Sequence, residues 1–271
     1  MMLHLPKLYY GPAFQAAAED RHTLRLDPAP RGLKGLRILF ITDIHASRRM
    51  FPPECARRLI DQAAALKADL LIYGGDFAES WDDLNWLLPM LDRLTPRLGA
   101  YTVLGNNDYE AMREKGEDHP LKELLAAHGI MPLVDEETAV SAGDGVIRIA
   151  GLDCALERTE PPREPFFQSS GDDELRILIA HYPWHLLPAE EWCARAPRLG
   201  LSGHTHGGQL KLFGLTPYSL GYELRQVSRS VTLSGWTDAP GYPTLVSPGI
   251  GTSKLPIRVN CEPTIHLITV E

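Results

Sequence analysis

Short apolar runs, each closed by polar or glycine residues, set the rhythm of this chain. Leu36–Ile41 leads into Thr-Asp-Ile-His, Leu70–Tyr73 into Gly-Gly-Asp, and Ala100–Leu104 into Gly-Asn-Asn-Asp. Leu175–Ala180 leads into His-Tyr-Pro, and Leu199–Ser202 into Gly-His-Thr-His. Runs of this length, rich in Ile and Leu, read as strands buried on both faces. Between the first three lie segments with helical spacing. The segment 52–68 opens on two prolines and places Ala56, Leu59, Ile60 and Ala63 on one face. The segment 81–94 is a second helix. Strand and helix alternate, which predicts βαβ units and a parallel sheet. Further on, 119–129 reads as helical and 137–153 as a hairpin turning at Gly143-Asp144-Gly145. Residues 242–253 and 262–271 read as two terminal strands. Residues 1–35 read as irregular, and about 211–243 as a long loop rich in Gly, Pro and Tyr. No repeat or linker divides the chain. The reading is one domain over 36–271, preceded by an extension over 1–35 that packs on the domain or touches a membrane surface.

The chemistry collects where the apolar runs stop. Asp43 and His45 follow the first run, Asp76 the second, and Asn106, Asn107 and Asp108 the third. His181 follows the fourth, and His204 and His206 the fifth. In open parallel sheets, sites gather beyond the carboxyl ends of the strands, so these residues are predicted to converge. Taken singly, each has a plainer explanation: an N-cap for Asp43, a satisfied polar group for His181, turn glycines at Gly74, Gly75 and Gly203. Five such motifs in this order are hard to explain that way. Imidazole, carboxylate and carboxamide donors suit Mn, Fe or Zn, and suit copper(I) or an iron–sulfur cluster poorly. Two divalent ions about 3.5–4 Å apart clamp a phosphoryl group and supply a hydroxide for in-line attack. Asp76 is the natural bridge, and acceptors behind the imidazoles are expected to hold them neutral. His4, His22, His119, His128, His185 and His266 lack this context and read as structural or surface residues.

Composition narrows the class. With 271 residues, 44% hydrophobic and 23% charged, the chain is an ordinary globular protein. The formal net charge of −8 argues against a nucleic acid polymer as partner. Cys55, Cys154, Cys193 and Cys261 form no CxxC pair, so neither a zinc knuckle nor a disulfide framework is indicated. No apolar run is long enough to span a bilayer, and the first residues lack the pattern of a signal peptide. The expectation is a cytoplasmic protein, with Leu3, Leu5, Leu8, Tyr9, Tyr10 and Phe14 available for loose contact with a membrane.

The ordered set TDIH, GGD, GNND, AHYP and GHTH resembles the calcineurin-like metallophosphoesterase superfamily over about residues 36–271. That resemblance implies an α/β four-layer α-β-β-α sandwich with two mixed sheets and a dinuclear metal site at the carboxyl ends of the strands. It implies a first metal at Asp43, His45, Asp76 and His206, and a second at Asp76, Asn106, His181 and His204. The continuation GHTHGGQL and the carboxyl-terminal segment 247–270 resemble one bacterial branch of the superfamily. That branch contains membrane-associated phosphodiesterases and a UDP-2,3-diacylglucosamine pyrophosphatase of lipid A biosynthesis. Many of its members begin with a membrane anchor or a twin-arginine signal, patterns this sequence does not contain.

Two departures bear on mechanism. Where the superfamily usually has a His that contacts phosphate and protonates the leaving group, this chain has Asn107. An amide donates a hydrogen bond but cannot deliver a proton near neutral pH. Where the branch often has Ser-Arg-Gly, this chain has Ser247-Pro248-Gly249. Both favour a substrate with a good leaving group, or a proton donor from elsewhere, with His119 or His185 as the competing candidates. The expected activity is therefore phosphodiester or nucleotide-lipid pyrophosphate hydrolysis with Mn²⁺ as the first-choice ion, Asn107 and Asp76 being the catalytic candidates. A phosphomonoesterase or small-nucleotide phosphatase, and a metal-binding protein with weak catalysis, are the competing readings. Phe213, Tyr218, Tyr222, Trp236 and Tyr242 are expected either to wall the site or to form the long loop's own small core.

Overall fold

In the strand Arg37–Ile41, Leu39 and Ile41 point to one side and Ile38 and Phe40 to the other, and all four are buried. Leu70–Tyr73 repeats the pattern, with Leu71 and Tyr73 on the first side and Leu70 and Ile72 on the second. A sheet apolar on both faces must be covered twice. The computed structural model describes residues 6–115, 121–154, 162–221 and 232–271, and in it both faces are covered.

One face carries the helices Pro53–Ala65, Trp81–Leu91, Asn106–Lys115 and Leu121–Ala127. The first begins with Pro53 and buries Cys55, Ala56, Leu59, Ile60 and Ala63. The second is capped by Ser80, whose hydroxyl accepts the Asp83 N–H. The other face meets a second sheet across an apolar layer built from Ile38, Phe40 and Ile72 on one side and Ile149, Ile177 and Leu201 on the other. Beyond the second sheet, Phe166, Phe167, Leu186, Trp192 and Tyr242 form a third layer of core. The regular helix there is the single turn Ala189–Trp192, so this outer layer is thin. The architecture is α-β-β-α, as the resemblance implied.

Both sheets are mixed, as the resemblance implied, and the parallel pairing expected from alternation runs from Arg37–Ile41 through Ile130–Pro132. The first runs in the order Ala18–Leu24, Thr264–Val270, Arg37–Ile41, Leu70–Tyr73, Ala100–Thr102, Ile130–Pro132. Its one antiparallel step joins Thr264–Val270 to Arg37–Ile41. The second runs Gly235–Thr237, Thr244–Val246, Leu199–Ser202, Leu175–Ala180, Gly145–Leu152, Glu136–Ala142. The hairpin at 143–144 pairs the last two antiparallel. Residues 1–35 are not irregular throughout. Ala18–Leu24 adds to the first sheet as an edge strand, parallel to Thr264–Val270. That strand is mostly exposed, so it lacks the apolar run that marks a buried strand. Leu8–Tyr10 pairs with Ile257–Val259 in a separate ribbon. The loop expected over 211–243 likewise contains the edge strand Gly235–Thr237. Among the described residues, no helix is long and apolar enough to cross a membrane.

Candidate metal centre

Parallel strands that stop at one level bring their following residues together. Arg37–Ile41, Leu70–Tyr73 and Ala100–Thr102 are parallel neighbours in the first sheet. Leu175–Ala180, Leu199–Ser202 and Thr244–Val246 are parallel neighbours in the second. Asp43, Asp76 and Asn106 therefore leave one sheet, and His181, His204 and His206 leave the other, at the same end of the sandwich.

The loops are tied together by backbone hydrogen bonds. The Asp43 N–H donates to Gly75 O, the His45 N–H to Asp76 O, and the Gly203 N–H to His181 O. Five of the seven predicted ligands sit at positive φ: Asp43 at 53°, His45 at 46°, Asp76 at 55°, His204 at 68° and His206 at 50°. Left-handed backbone costs a residue with a Cβ about 1–2 kcal/mol. Such strain concentrates where the fold must aim a side chain rather than relax it. Glycines allow the loops to close. A Cβ on Gly105 would lie 2.0 Å from Asp76 Oδ1, and one on Gly203 would lie 2.3 Å from Asp43 Oδ2.

Two groups of ligand atoms result. Asp43, His45 and His206 form one, and Asp76, His181 and His204 the other, each with its atoms within 4.8 Å of one another. Asp76 stands between them: its Oδ2 is 3.3 Å from His45 Nε2 and 3.4 Å from His181 Nε2. Asn106 Oδ1 lies 3.2 Å from His181 Nε2, and His204 Nδ1 lies 3.2 Å from the same nitrogen. Asp43 Oδ1 is 3.9 Å from His45 Nε2 and 3.8 Å from His206 Nε2. His45 is fully buried, yet its Nε2 has no hydrogen-bond partner among the described residues. An orphaned nitrogen facing two carboxylates is costly unless something positive sits between them. The donor set and this orphan fit a pair of divalent cations.

The electrostatics agree. Burial works against ionising Asp76, but His181, His45 and the Asn107 amide outweigh it and hold the carboxyl well below the usual range. Burial also opposes a charge on His181, and Asp76, Asp43 and the Gly74 carbonyl more than reverse that, raising its pKa. In the metal-free chain the centre attracts positive charge to itself.

Residues behind the ligands were only partly foreseen. Glu79 Oε1 lies 2.5 Å from His45 Nδ1, and Gly74 O lies 2.8 Å from His181 Nδ1. Both are the expected acceptors. His206 departs from the expectation. Its Nδ1 lies 3.1 Å from Nη2 of Arg258, which is fully buried and can only donate. Burial first, and then His45 and Arg258, keep the His206 pKa well below the ordinary value, so this ring is held neutral by burial and a neighbouring cation rather than by an acceptor. Asp108, noted only as a strand-end residue, accepts N–H bonds from Asp76, Phe77 and Gly105 and locks two loops together. Burial and the nearby Asp76 raise its pKa to about 7. The Asp of GNND was a usable signal for Asp108; no local pattern marks Arg258, which comes from the distant strand Ile257–Val259.

Asn107 donates twice to Asp76, from its backbone N–H to Oδ1 at 2.9 Å and from Nδ2 to Oδ2 at 2.8 Å. A cavity of about 770 Å³ opens over the centre, lined by Asp76, Asn106, Asn107, His204 and His206, and farther out by Arg49, Met50, Tyr218 and Leu255. That volume is in the range of small-molecule sites. Tyr182 lines it too, edge-on to His204 with ring centroids 4.3 Å apart and stacked on Trp184. Of the aromatic residues expected to wall the site, Tyr218 does so. Tyr242 is buried in the outer core and donates to Leu186 O, Trp236 sits on His22, and Phe213 projects outward. Tyr222 lies outside the described residues, as does His119. His185 packs behind Tyr182 and does not line the cavity.

A family model described as calcineurin-like phosphoesterase matches residues 36–208. The chain belongs to the calcineurin-like phosphoesterase family. It is a metal-dependent phosphoric ester hydrolase, and the family works with divalent metal ions. Among its relatives, a Bacillus subtilis protein described as uncharacterized protein YpbG is 32% identical over 92% of this chain and 86% of its own length. Escherichia coli phosphodiesterase YaeI is 30% identical over 86% of this chain and 81% of its own. The uncharacterized metallophosphoesterase YkuE of Bacillus subtilis is 28% identical over 92% and 84%.

Proposed function

We propose that this calcineurin-like phosphoesterase hydrolyses phosphodiesters or nucleotide pyrophosphates with two divalent ions. Asp43, His45, Asp76 and His206 would hold one ion, and Asp76, Asn106, His181 and His204 the other. The observation that carries this reading is the carboxylate of Asp76, set at nearly equal distance from His45 and His181 between two groups of buried donors. The relative named a phosphodiesterase supports the reaction class. Mn²⁺ suits the mixed oxygen and nitrogen donors, with Fe or Zn next. Bound ions supply charge to clamp the phosphoryl oxygens and activate water as nucleophile.

The chain's own residues do the rest. Glu79 and the Gly74 carbonyl orient His45 and His181, and Asp108 fixes the Asp76 loop against Gly105. Asn107 steadies Asp76 through two hydrogen bonds and supplies no proton to a leaving group. Good leaving groups, such as a nucleoside monophosphate released from a pyrophosphate, fit this arrangement better than alkoxides. A nucleotide-linked lipid of the UDP-2,3-diacylglucosamine kind has the required chemistry, and the cytoplasmic face of a membrane is the place where it would be met.

Turnover of bis-p-nitrophenyl phosphate with added Mn²⁺, alongside metal counting, tests the reading. Two ions per chain and diesterase activity are expected. One ion or fewer per well-loaded chain, or two ions without turnover, overturns it. A panel with UDP-diacylglucosamine, cyclic nucleotides and monoesters then ranks the substrates. Asn107→His should raise turnover of alkyl esters more than that of p-nitrophenyl esters, because general acid catalysis is worth about 10²–10⁴-fold. Equal dependence on leaving-group pKa in both proteins removes the leaving-group argument.

A further inference from the structure

We propose that the face around the cavity mouth docks on an anionic lipid surface, with the cavity opening toward it. The inference rests on the reading of that cavity as the active site and adds where its substrate is presented.

Exposed apolar side chains are concentrated on this face. Among the described residues, Phe213 is 96% exposed, Leu220 74% and Leu8 65%, with Leu212, Leu215 and Leu255 about half exposed. They lie on one continuous ledge. Leu8 pairs with Val259, whose N–H donates to Gln209 O and whose carbonyl accepts the Lys211 N–H. The Gln209 side chain in turn donates to Ser253 O and Leu255 O. Leu210 and Leu255 line the cavity itself, so ledge and mouth are contiguous. On its other flank, the strand Leu8–Tyr10 runs into Gly11, where an added Cβ would meet Met50 O at 2.5 Å, and Met50 lines the cavity as well.

Phe213 is the most telling residue. Leu212 and Leu215 exchange both backbone hydrogen bonds, which makes residues 212–215 a tight hairpin turn. At its tip Phe213 and Gly214 both have positive φ, 52° and 82°. Asn or Asp is the usual neighbour of Gly in such a turn, and a bulky aromatic side chain there is unfavourable. Among the described residues nothing covers the ring, so neither backbone preference nor burial there accounts for it. Insertion into a lipid surface does.

Charge selects the kind of surface. Lys7, Lys211 and Lys254 are exposed on the ledge, Arg49 lines the cavity beside Met50, and Arg48, next to it in the chain, is exposed. These cations cluster on one face of a chain whose formal net charge is −8. The acids at the cavity, Glu79 and Glu110, belong to the loop and helix that carry Asp76 and Asn106. Apolar tips ringed by Lys and Arg match a bilayer containing anionic lipids. A second copy of the chain matches poorly, because an isologous contact would set these cations against themselves. A protein covering the ledge would also stop the cavity, whereas a bilayer would supply it.

Flotation of the full chain with phosphatidylcholine vesicles, with and without phosphatidylglycerol, at low and high salt, tests this. Binding that needs phosphatidylglycerol and weakens with salt is expected. Phe213→Ser with Leu220→Ser, and separately Lys211→Glu, should lower it by about tenfold or more. These surface variants should keep the wild-type melting temperature and turn over soluble bis-p-nitrophenyl phosphate at the wild-type rate. A full chain that stays out of phosphatidylglycerol vesicles overturns the proposal, as do variants that float undiminished. A dimer in gel filtration that Phe213→Ser with Leu220→Ser converts to monomer, without vesicle binding, assigns the ledge to self-association and overturns it too. Vesicle binding without diester turnover supports the docking face and counts against the catalytic reading alone.

Discussion

Two clusters of histidine and carboxylate in this molecule look alike by composition and distance, and the fold puts them to opposite uses. One is the strand-end centre; the other is Asp20, His22 and His266, whose ligand atoms also lie within 4.8 Å of one another. The second cluster closes the open edge between the sheets. Trp236 Nε1–H donates to His22 Nδ1 at 3.1 Å. An indole can only donate, so the neutral His22 ring carries its proton on Nε2, which faces His266 Nδ1 at 3.1 Å. His266 then carries its own proton on Nε2 and donates to Ser247 Oγ at 2.9 Å. Every imidazole nitrogen is used within the protein. Burial lowers the pKa of both rings, that of His266 to about 3. The strand-end centre is the reverse: His45 Nε2 is orphaned, and the His45 and His181 pKa values are raised against the pull of burial. Satisfied nitrogens mark a structural clasp, and a buried unsatisfied one facing carboxylates marks a place for a cation.

Asp76→Asn gives the largest expected effect, because it weakens a ligand shared by both groups and removes its charge. Activity should fall by more than the about 10–100-fold typical of outer partners, and metal content should drop below two. His22→Ala should leave metal content at two. A third ion in the wild type, lost in that variant, would erase the distinction between the clusters. Next in size is Glu79→Gln, which loosens the orientation of His45 from outside the centre. About 10–100-fold in metal affinity is expected, read by chelator competition. Unchanged affinity would mean that the short contact at 2.5 Å does not position the ring.

The clusters should also separate by pH in the metal-free chain. His266 has a folded pKa below its unfolded value, so its contribution is present above about pH 6.5 and is lost as pH falls toward 3. The stability cost of His266→Leu, measured by urea unfolding, should therefore shrink between neutral pH and pH 5. His181 has a raised folded pKa, so its contribution is full below about pH 6.5 and is lost as pH rises through that higher value. The cost of His181→Ala should shrink on going alkaline. Parallel pH trends in the two variants would contradict the contrast. The smallest effect is that of Trp236→Phe. It removes one donor from the clasp, worth about 0.5–1.5 kcal/mol, and should leave activity untouched.

Much of the fold was legible because buried strands must be apolar and must stop. The runs at Arg37–Ile41, Leu70–Tyr73, Leu175–Ala180 and Leu199–Ser202 are strands in the structure, and the helices over 53–65 and 81–91 follow from their apolar faces. The edge strands Ala18–Leu24 and Gly235–Thr237 were not legible. Half-exposed strands carry no apolar run, and only a neighbour's free edge makes them strands.

The residue types and spacing of TDIH, GGD, GNND, AHYP and GHTH by themselves determined which side chains would stand at strand ends, since each follows a run that can only be a buried strand. Which of those side chains meet, and in what state, was left to the tertiary structure. The meeting of Asp76 with His45 and His181 needs two sheets packed face to face, and the left-handed backbone at five of these residues is imposed by loops bonded to one another. The same holds for His22 and His266, which the sequence left without a role and which a tryptophan on the facing sheet turns into a clasp. A local pattern can specify a donor atom. Only the packed chain decides whether that atom finds a protein partner or is left facing a space for an ion, because the partner comes from a residue far away in sequence.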